Sequence, residues 1–318
     1  MLLRVVKKLS SLFLKGYNLF MNRVGFFSSI NEHIKKGDTL FILGNGPSLN
    51  EHLENSCSII ASNPCVCVNH FVSTDFYSLI RPCIYVLADP IIFLSVLPKN
   101  HRDKAEAMWR NLLDRTRWNM DLIVPSQYRN NKRIQEIAKN KFINVLFCNM
   151  FDCSFYSNKQ SQFKLFNRNL LSVPAQTVLN MAIYLAIFWQ YKNIILLGAD
   201  TSWHEDMRVD QKTNQVYFED KHFYETKIRL VYLNSEETVP IKFHEELLNI
   251  SNAFKSYWLL HEYAEYNSVS VFNASGKSWI DAFERKTLEE MFEVKQGPYV
   301  GENDKTSFEE IDSKNTKE

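Results

Sequence analysis

At 318 residues, 45% hydrophobic and 14% aromatic, the chain has apolar mass for one large α/β domain or two smaller ones, and it is not a disordered sequence. Its 37 Lys and Arg stand against 36 Asp and Glu, a net charge of +1 that argues against bulk nucleic-acid binding. The six cysteines (Cys57, Cys65, Cys67, Cys83, Cys148, Cys153) show no paired C-x-x-C spacing and no secretory signal pattern precedes them, so reduced thiols in the cytoplasm are expected and a zinc site is not.

In residues 1–36, Leu, Val and Phe recur at helical spacing, with Arg4, Lys7, Lys8, Lys15 and Arg23 supplying cations. The apolar run is broken too often to span a bilayer, which takes about 20 apolar residues. A basic helix of this kind lies in a membrane interface, which would make the protein peripheral at the inner membrane face. Packing on the domain, or self-association into a homo-oligomer, is the alternative.

Thr39-Leu40-Phe41-Ile42-Leu43 predicts a strand that runs into Gly44-Asn45-Gly46-Pro47-Ser48, a glycine turn opening a helix. Strand, turn and helix start present backbone N–H groups to a phosphate, and glycine allows the close approach. The motif is not the dinucleotide fingerprint, because Leu49 stands where its third glycine belongs, and it lacks the Gly-Lys-Ser/Thr end of a P-loop. An ordinary tight turn is the competing explanation.

Apolar runs at 65–71 and 83–90 end in Asn69-His70 and Asp89-Pro90. Near-continuous apolar runs suit parallel strands buried on both faces, and ligands bind beyond the carboxyl ends of such strands. Gly44–Ser48, Asn69, His70 and Asp89 are therefore expected on one rim, although Asp89 before a proline also suits a turn cap. A charged surface helix at 101–120 and strands at 121–125 and 143–147 follow, and 148–172 reads as an irregular excursion over the site. Gln176-Thr177 leads into a helix that is apolar all round and hence buried. Residues 193–200 form the clearest strand, ending in Gly198-Ala199-Asp200, with Ser202, Trp203 and His204 just beyond. Residues 207–243 are polar, aromatic and poorly periodic, and a connection this long predicts a functional lid. A long helix at about 245–266, a strand at 269–273 and a charged, disordered tail at 301–318 complete the chain. The pattern predicts an α/β fold, a Rossmann-like, mostly parallel sheet with helices on both faces. It reads as a single nucleotide-binding domain over 37–300 plus a lid at about 203–243.

Gly44-Asn45-Gly46-Pro47-Ser48-Leu49 resembles the opening loop of the bacterial lipooligosaccharide sialyltransferases, where that loop contacts the CMP-activated donor. Asn69-His70-Phe71 is similar to the family's Asn-Gln-Phe strand end, and Lys192-Asn193-Ile194-Ile195-Leu196-Leu197-Gly198-Ala199-Asp200 resembles its Lys-Glu-Ile-Tyr-Leu-Ser-Gly-Ile-Asp segment. Gln176-Thr177 falls near its nucleotide-contacting Thr-Ser-Gly. The same loop and Gly-x-Asp strand occur in flagellin-modifying and pterin diphosphokinase-like relatives, and in lipopolysaccharide-core enzymes that resemble transferases for 3-deoxy-octulosonic acid. The resemblance covers roughly residues 39–275, and only the two glycine motifs are specific. It implies a variant of the GT-A-like arrangement and transfer of a sialic acid-like or 3-deoxy-octulosonic sugar from a CMP donor to a surface glycan or lipopolysaccharide. The family's two phosphate-holding tyrosines after Gly-x-Asp are replaced here by Ser202, Trp203 and His204; Tyr217 or Tyr224 would have to supply a hydroxyl from the lid.

An acceptor hydroxyl needs a base near neutral pH, the task that suits histidine. Asp220-Lys221-His222-Phe223-Tyr224 is similar to the family's Asp-Asn-Ser-His-Tyr, which makes His222 the first candidate and His244 the second. Trp203 would stack on a base or sugar, or anchor the lid. No D-x-D motif sits beside a strand end, so catalysis without metal or other cofactor is expected, with a cation at Asp200, His204, Glu205 and Asp206 as the minor alternative. Partners would be a nucleotide sugar and a glycan or glycolipid acceptor. Two other readings are a diphosphokinase using ATP and Mg²⁺, and a non-catalytic nucleotide- or glycan-binding subunit of polysaccharide assembly.

Overall fold

The computed structural model describes residues 28–94, 99–151, 158–222, 225–232 and 238–292. Residues 1–27 of the basic N-terminal segment, Tyr224 and residues 293–318, the tail included, lie outside these residues. The chain divides into two compact units, the first reaching Arg285 and the second starting at Lys286.

In the first unit the chain runs β1 (Thr39–Leu43), α1 (Leu49–Asn55), α2 (Cys57–Ala61), β2 (Cys65–Val68), α3 (Phe76–Ile80), β3 (Ile84–Val86), α4 (Lys99–Arg115), β4 (Met120–Pro125), α5 (Lys132–Ile137) and β5 (Ile143–Cys148). It continues through α6 (Lys159–Phe166), α7 (Val178–Phe188), β6 (Asn193–Leu197), β7 (Met207–Val209), β8 (Val216–His222), β9 (Glu225–Leu230), α8 (Phe243–Tyr266), β10 (Ser270–Asn273) and β11 (Glu284–Arg285). Eight strands form one sheet in the order β11-β10-β6-β1-β2-β3-β4-β5, and every neighbouring pair is parallel.

Both faces of the sheet are covered, which is why its strands read as unbroken apolar runs. Leu40, Ile42, Val66, Val68, Ile84 and Val86 pack with α7 and with Tyr257, Leu260 and Tyr263 of α8. The alternate residues Phe41, Cys67 and Tyr85 are equally buried, and on that side Tyr77 of α3 meets Tyr85 edge-on. α7 is buried from Leu179 to Ile187, as its all-round apolar sequence requires. The chain winds outward from β1 to β5, then α7 carries it back to β6 on the other side of β1. Connections leave β1 and β6 in opposite directions, and that divergence opens a crevice beyond their carboxyl ends.

Two sequence expectations are corrected. In the described part of the 148–172 segment a helix, α6, stands where an irregular excursion was expected, and its Phe166 packs edge-on against Tyr184 and Tyr263 in the core. The expected irregular lid is in part an antiparallel sheet, β7-β8-β9. Val216 and Phe218 alternate with Tyr217 and Glu219, so one side of β8 buries its own small core with Val231 and Ile241. No helix among the described residues is long and apolar enough to cross a membrane. The five described cysteines are unbridged, and burial raises the thiol pKa of Cys65 and Cys67 well above the usual range, which leaves them unreactive.

At the opposite end of the sheet from the crevice, His33 Nδ1 lies 2.6 Å from Asp121 Oδ2 and Nε2 lies 3.2 Å from Tyr191 Oη. The His33 side chain is almost fully buried, so His33→Ala is expected to lower stability by about 2 kcal/mol through stranded partners. Urea denaturation measures the effect, and a change under about 0.5 kcal/mol would mean the bridge is not structural. The second unit's described part contains α9 (Leu288–Phe292), preceded by a reciprocal cap between Thr287 and Glu290.

Candidate functional site

The turns after β1 and β6 pack backbone to backbone. Gly44 N–H donates to Leu197 O at 2.8 Å and Gly46 N–H to Gly198 O at 2.9 Å. A Cβ on Gly44 would fall 2.3 Å from Gly198 O, and one on Gly46 would fall 2.4 Å from the Asp200 carboxylate. Gly198 itself has φ +61, a left-handed conformation that glycine adopts without strain. Asp200 then reaches the start of α1, where it accepts from Ser48 N–H at 3.0 Å and from Ser48 Oγ at 2.5 Å. Burial raises the Asp200 pKa above its usual value, partly offset by these bonds from Ser48.

This arrangement corrects the phosphate-cradle expectation. The N–H groups of Gly44, Gly46 and Ser48 are already engaged, and the helix start they lead to faces a carboxylate. The glycine motif is a lock between two strand ends. The loop after β10 braces the same place: Ser275 Oγ accepts from Ala199 N–H at 2.9 Å, and Trp279 N–H donates to Asp200 O at 2.9 Å.

Above the lock lies a cleft of about 190 Å³, lined by Gly44, Asn45, Gly46, Pro47, Asn69, Thr177, Val178, Leu179, Gly198, Asp200, Thr201, Ser202, Trp203, Asp206 and Tyr257, with Val68 and Ala199. Asn45 Nδ2 donates to Val68 O at 3.3 Å, tying the β1 turn to the end of β2. The side-chain oxygens of Asn45 and Asn69 are both buried without a hydrogen-bond partner. The buried Tyr257 hydroxyl sits 3.4 Å from Thr177 Oγ1 and 3.5 Å from Thr201 Oγ1. Thr177 is the N-cap of α7, in a capping box with Asn180, and Val178 and Leu179 of the first turn line the cleft. That helix start lies at the cleft, and Asp200 is bonded to Ser48 at the start of α1 instead, which makes α7 the better seat for an anion. Asn69 (φ +48) and Thr201 (φ +51) are held left-handed, a strained state for a β-branched residue such as threonine, and both line the cleft.

Of the residues singled out in the sequence, Gly44, Asn45, Gly46, Pro47, Asn69, Thr177, Gly198, Asp200, Ser202 and Trp203 come together here. Ser48 is adjacent and bonded to Asp200. Asp89 is exposed and caps the turn Pro90–Phe93 through Ile91 N–H at 3.0 Å, the role a pre-proline aspartate often takes. Gln176 is exposed and His70 follows Asn69 in the turn after β2; neither lines the cleft. His222 closes β8 opposite Glu225, and its side chain lies outside what the structure describes. His244 is exposed in the first turn of α8, about 20 Å along the helix from Tyr257 at 1.5 Å per residue. Among the described residues no three His, Cys, Asp or Glu converge to hold a metal. Thr201 and Tyr257 were missed, and Asp206 was singled out only for the minor cation alternative. A left-handed threonine and a tyrosine deep in a long helix leave no mark in a linear motif.

Fold and cleft define the class: a wholly parallel α/β sheet with a polar crevice where its winding reverses. Among solved structures, the chain is similar to the MAf glycosyltransferase from Magnetospirillum magneticum AMB-1, at 14% identity, 82% coverage of this chain, 35% of that one, and a TM-score of 0.45. The chain therefore spans about a third of that protein's length, and a likeness this distant supports no statement about activity. No family model matches the sequence, and none of the curated proteins does.

Proposed function

We propose that the protein is a glycosyltransferase that moves a sugar from a nucleotide donor with a single phosphate in its leaving group to a glycan or lipopolysaccharide hydroxyl. The observation that carries this reading is the composition of the cleft. Asn45, Asn69, Thr177, Thr201 and Tyr257, all with amide or hydroxyl side chains, line a small space at the switch point. A nucleoside and a sugar offer many hydroxyl and amine donors to such groups, and the start of α7 offers N–H groups to one phosphate. Among the described lining residues there is no Lys or Arg, while Asp200 and Asp206 are acidic. That charge pattern disfavours a triphosphate without a metal and favours a monophosphate-linked donor when no metal binds. The ATP and Mg²⁺ reading would use the same carboxylates for the cation, and a nucleotide series with and without Mg²⁺ separates the two.

A CMP-linked sialic acid-like or 3-deoxy-octulosonic sugar fits this requirement and the motif resemblance together. His222 is the proposed general base, carried at the end of β8, with His244 as the second candidate; either would have to approach the cleft when substrate binds. Work at the cytoplasmic face of the inner membrane is part of the same proposal, through the basic N-terminal segment.

The test is thermal denaturation with CMP, CDP, UDP, GDP and ATP, each with and without Mg²⁺. CMP without metal is expected to raise the midpoint by about 4–5 °C at a hundredfold excess over its Kd. Stabilisation by ATP with Mg²⁺ alone would overturn the reading. His222→Ala and His244→Ala, assayed for sugar transfer, separate the two candidate bases, and full activity in both would remove the histidine mechanism.

A further inference from the structure

Beside the cleft, a group of aromatic rings that the donor site does not use stands partly exposed. Trp279 and Trp258 are 48% and 46% exposed. Their indole N–H groups are both held by carboxylates: Trp279 Nε1 donates to Glu205 Oε1 at 2.8 Å, and Trp258 Nε1 donates to Asp281 Oδ1 at 3.1 Å. Lys277 Nζ donates to the other Glu205 oxygen at 2.9 Å. The His204 ring stands edge-on to Trp279, 4.7 Å between centroids, and to Phe254 at 6.0 Å. Phe254 and Trp258 are one helical turn apart on α8 and share a face. Ile280, between Trp279 and Asp281, is wholly buried, so its two neighbours point outward together.

The surface joins the cleft. Glu205 and His204 belong to the short turn Trp203–Asp206, whose first and last residues both line it. Trp279 also bonds Asp200, a cleft residue, through its backbone.

Resting on the glycosyl-transfer reading above, we propose that Trp279 and Trp258, braced by His204, Glu205 and Asp281, are the stacking platform for a neutral pyranose of the acceptor. A tryptophan whose N–H is fixed by a carboxylate keeps a set ring plane while half its surface stays wet, at a cost in exposed apolar area. The C–H face of a pyranose covers such a ring, and its equatorial hydroxyls reach carboxylates at the rim. Asp281 repels an anionic lipid surface, Glu205 being balanced by Lys277, and a predominantly aliphatic protein partner would desolvate both carboxylates with no new bond in return.

The experiment is saturation-transfer NMR and calorimetric titration of the full chain with lactose, N-acetyllactosamine and maltotriose. Wild type is expected to saturate the ring C–H protons of at least one saccharide. Trp279→Ala should weaken that binding about tenfold, Trp258→Ala by less, and Trp279→Phe should retain most of it. The CMP-induced thermal shift should be unchanged in all three variants, which also reports that they are folded. No saturation by any of the three saccharides, or undiminished binding in both alanine variants, would overturn the platform. Binding to phosphatidylglycerol vesicles that is lost in Trp279→Ala would overturn it in favour of a membrane contact. If CMP gives no shift in wild type while saccharides still bind through Trp279, the platform stands and the donor reading falls.

Discussion

Gly44→Ala is expected to cost at least about 3 kcal/mol and to lower the melting midpoint by roughly 5 °C or more. The new methyl would sit 2.3 Å from Gly198 O, a backbone atom whose own strand is pinned in register to β1. Neither partner is the tip of a flexible side chain, so the clash can be relieved only by separating the two turns. Separation breaks the Gly44 and Gly46 hydrogen bonds and displaces Asp200 from α1. Gly37→Ala is the control: Gly37, unlike Gly44, has positive φ (+71), but the nearest atom to its Cβ would be Pro64 Cγ at 3.9 Å. Its cost should be only the left-handed penalty of about 1–2 kcal/mol. Equal losses in the two variants, read by calorimetry, would show that the turns do not pack as described.

Asp200→Ala is the second substitution with a large effect, about 3 kcal/mol, because Ser48 N–H and Oγ lose their acceptor at a 4% exposed position. Asp200→Asn keeps an acceptor for the N–H and lets the serine hydroxyl turn round, so its cost should stay within about 1 kcal/mol. The pair also has a pH signature. Burial raises the folded-state pKa of Asp200 above that of the unfolded chain, so the folded protein binds the proton more tightly. The stabilising contribution is therefore full below about pH 4 and is lost as pH rises through the raised pKa. Wild type should lose stability relative to Asp200→Asn between pH 4 and neutrality. Urea denaturation at several pH values measures the difference, and the opposite slope would mean that the Ser48 bonds outweigh burial.

The motif that stands out in the sequence thus has a different physical role from the one it suggests. Gly44 and Gly46 are required, as their spacing implies, but by a neighbouring backbone and a carboxylate. A linear motif shows that something approaches closely; it does not show whether that is a ligand or another segment of the same chain. The Gly198-Ala199-Asp200 segment, read as a second ligand contact, is what approaches.

By itself the sequence determined the parallel sheet. Its strands are buried on both faces, and a continuous apolar run such as Ile194–Leu197 stays legible whatever lies around it. It also determined that the ends of β1, β2 and β6 share one rim, because strands of a parallel sheet end on the same side. The small antiparallel sheet was hidden, since among the described side chains of β8 only Val216 and Phe218 are buried and most of that stretch is polar. Tertiary structure alone decided which helix start faces the cleft. Asp200 closes α1 from more than a hundred residues away, which leaves α7, and brings Thr201 and Tyr257 to the crevice floor. Charge and hydrogen bonding across such distances depend on which loops meet, and that is set by packing the two faces of the sheet.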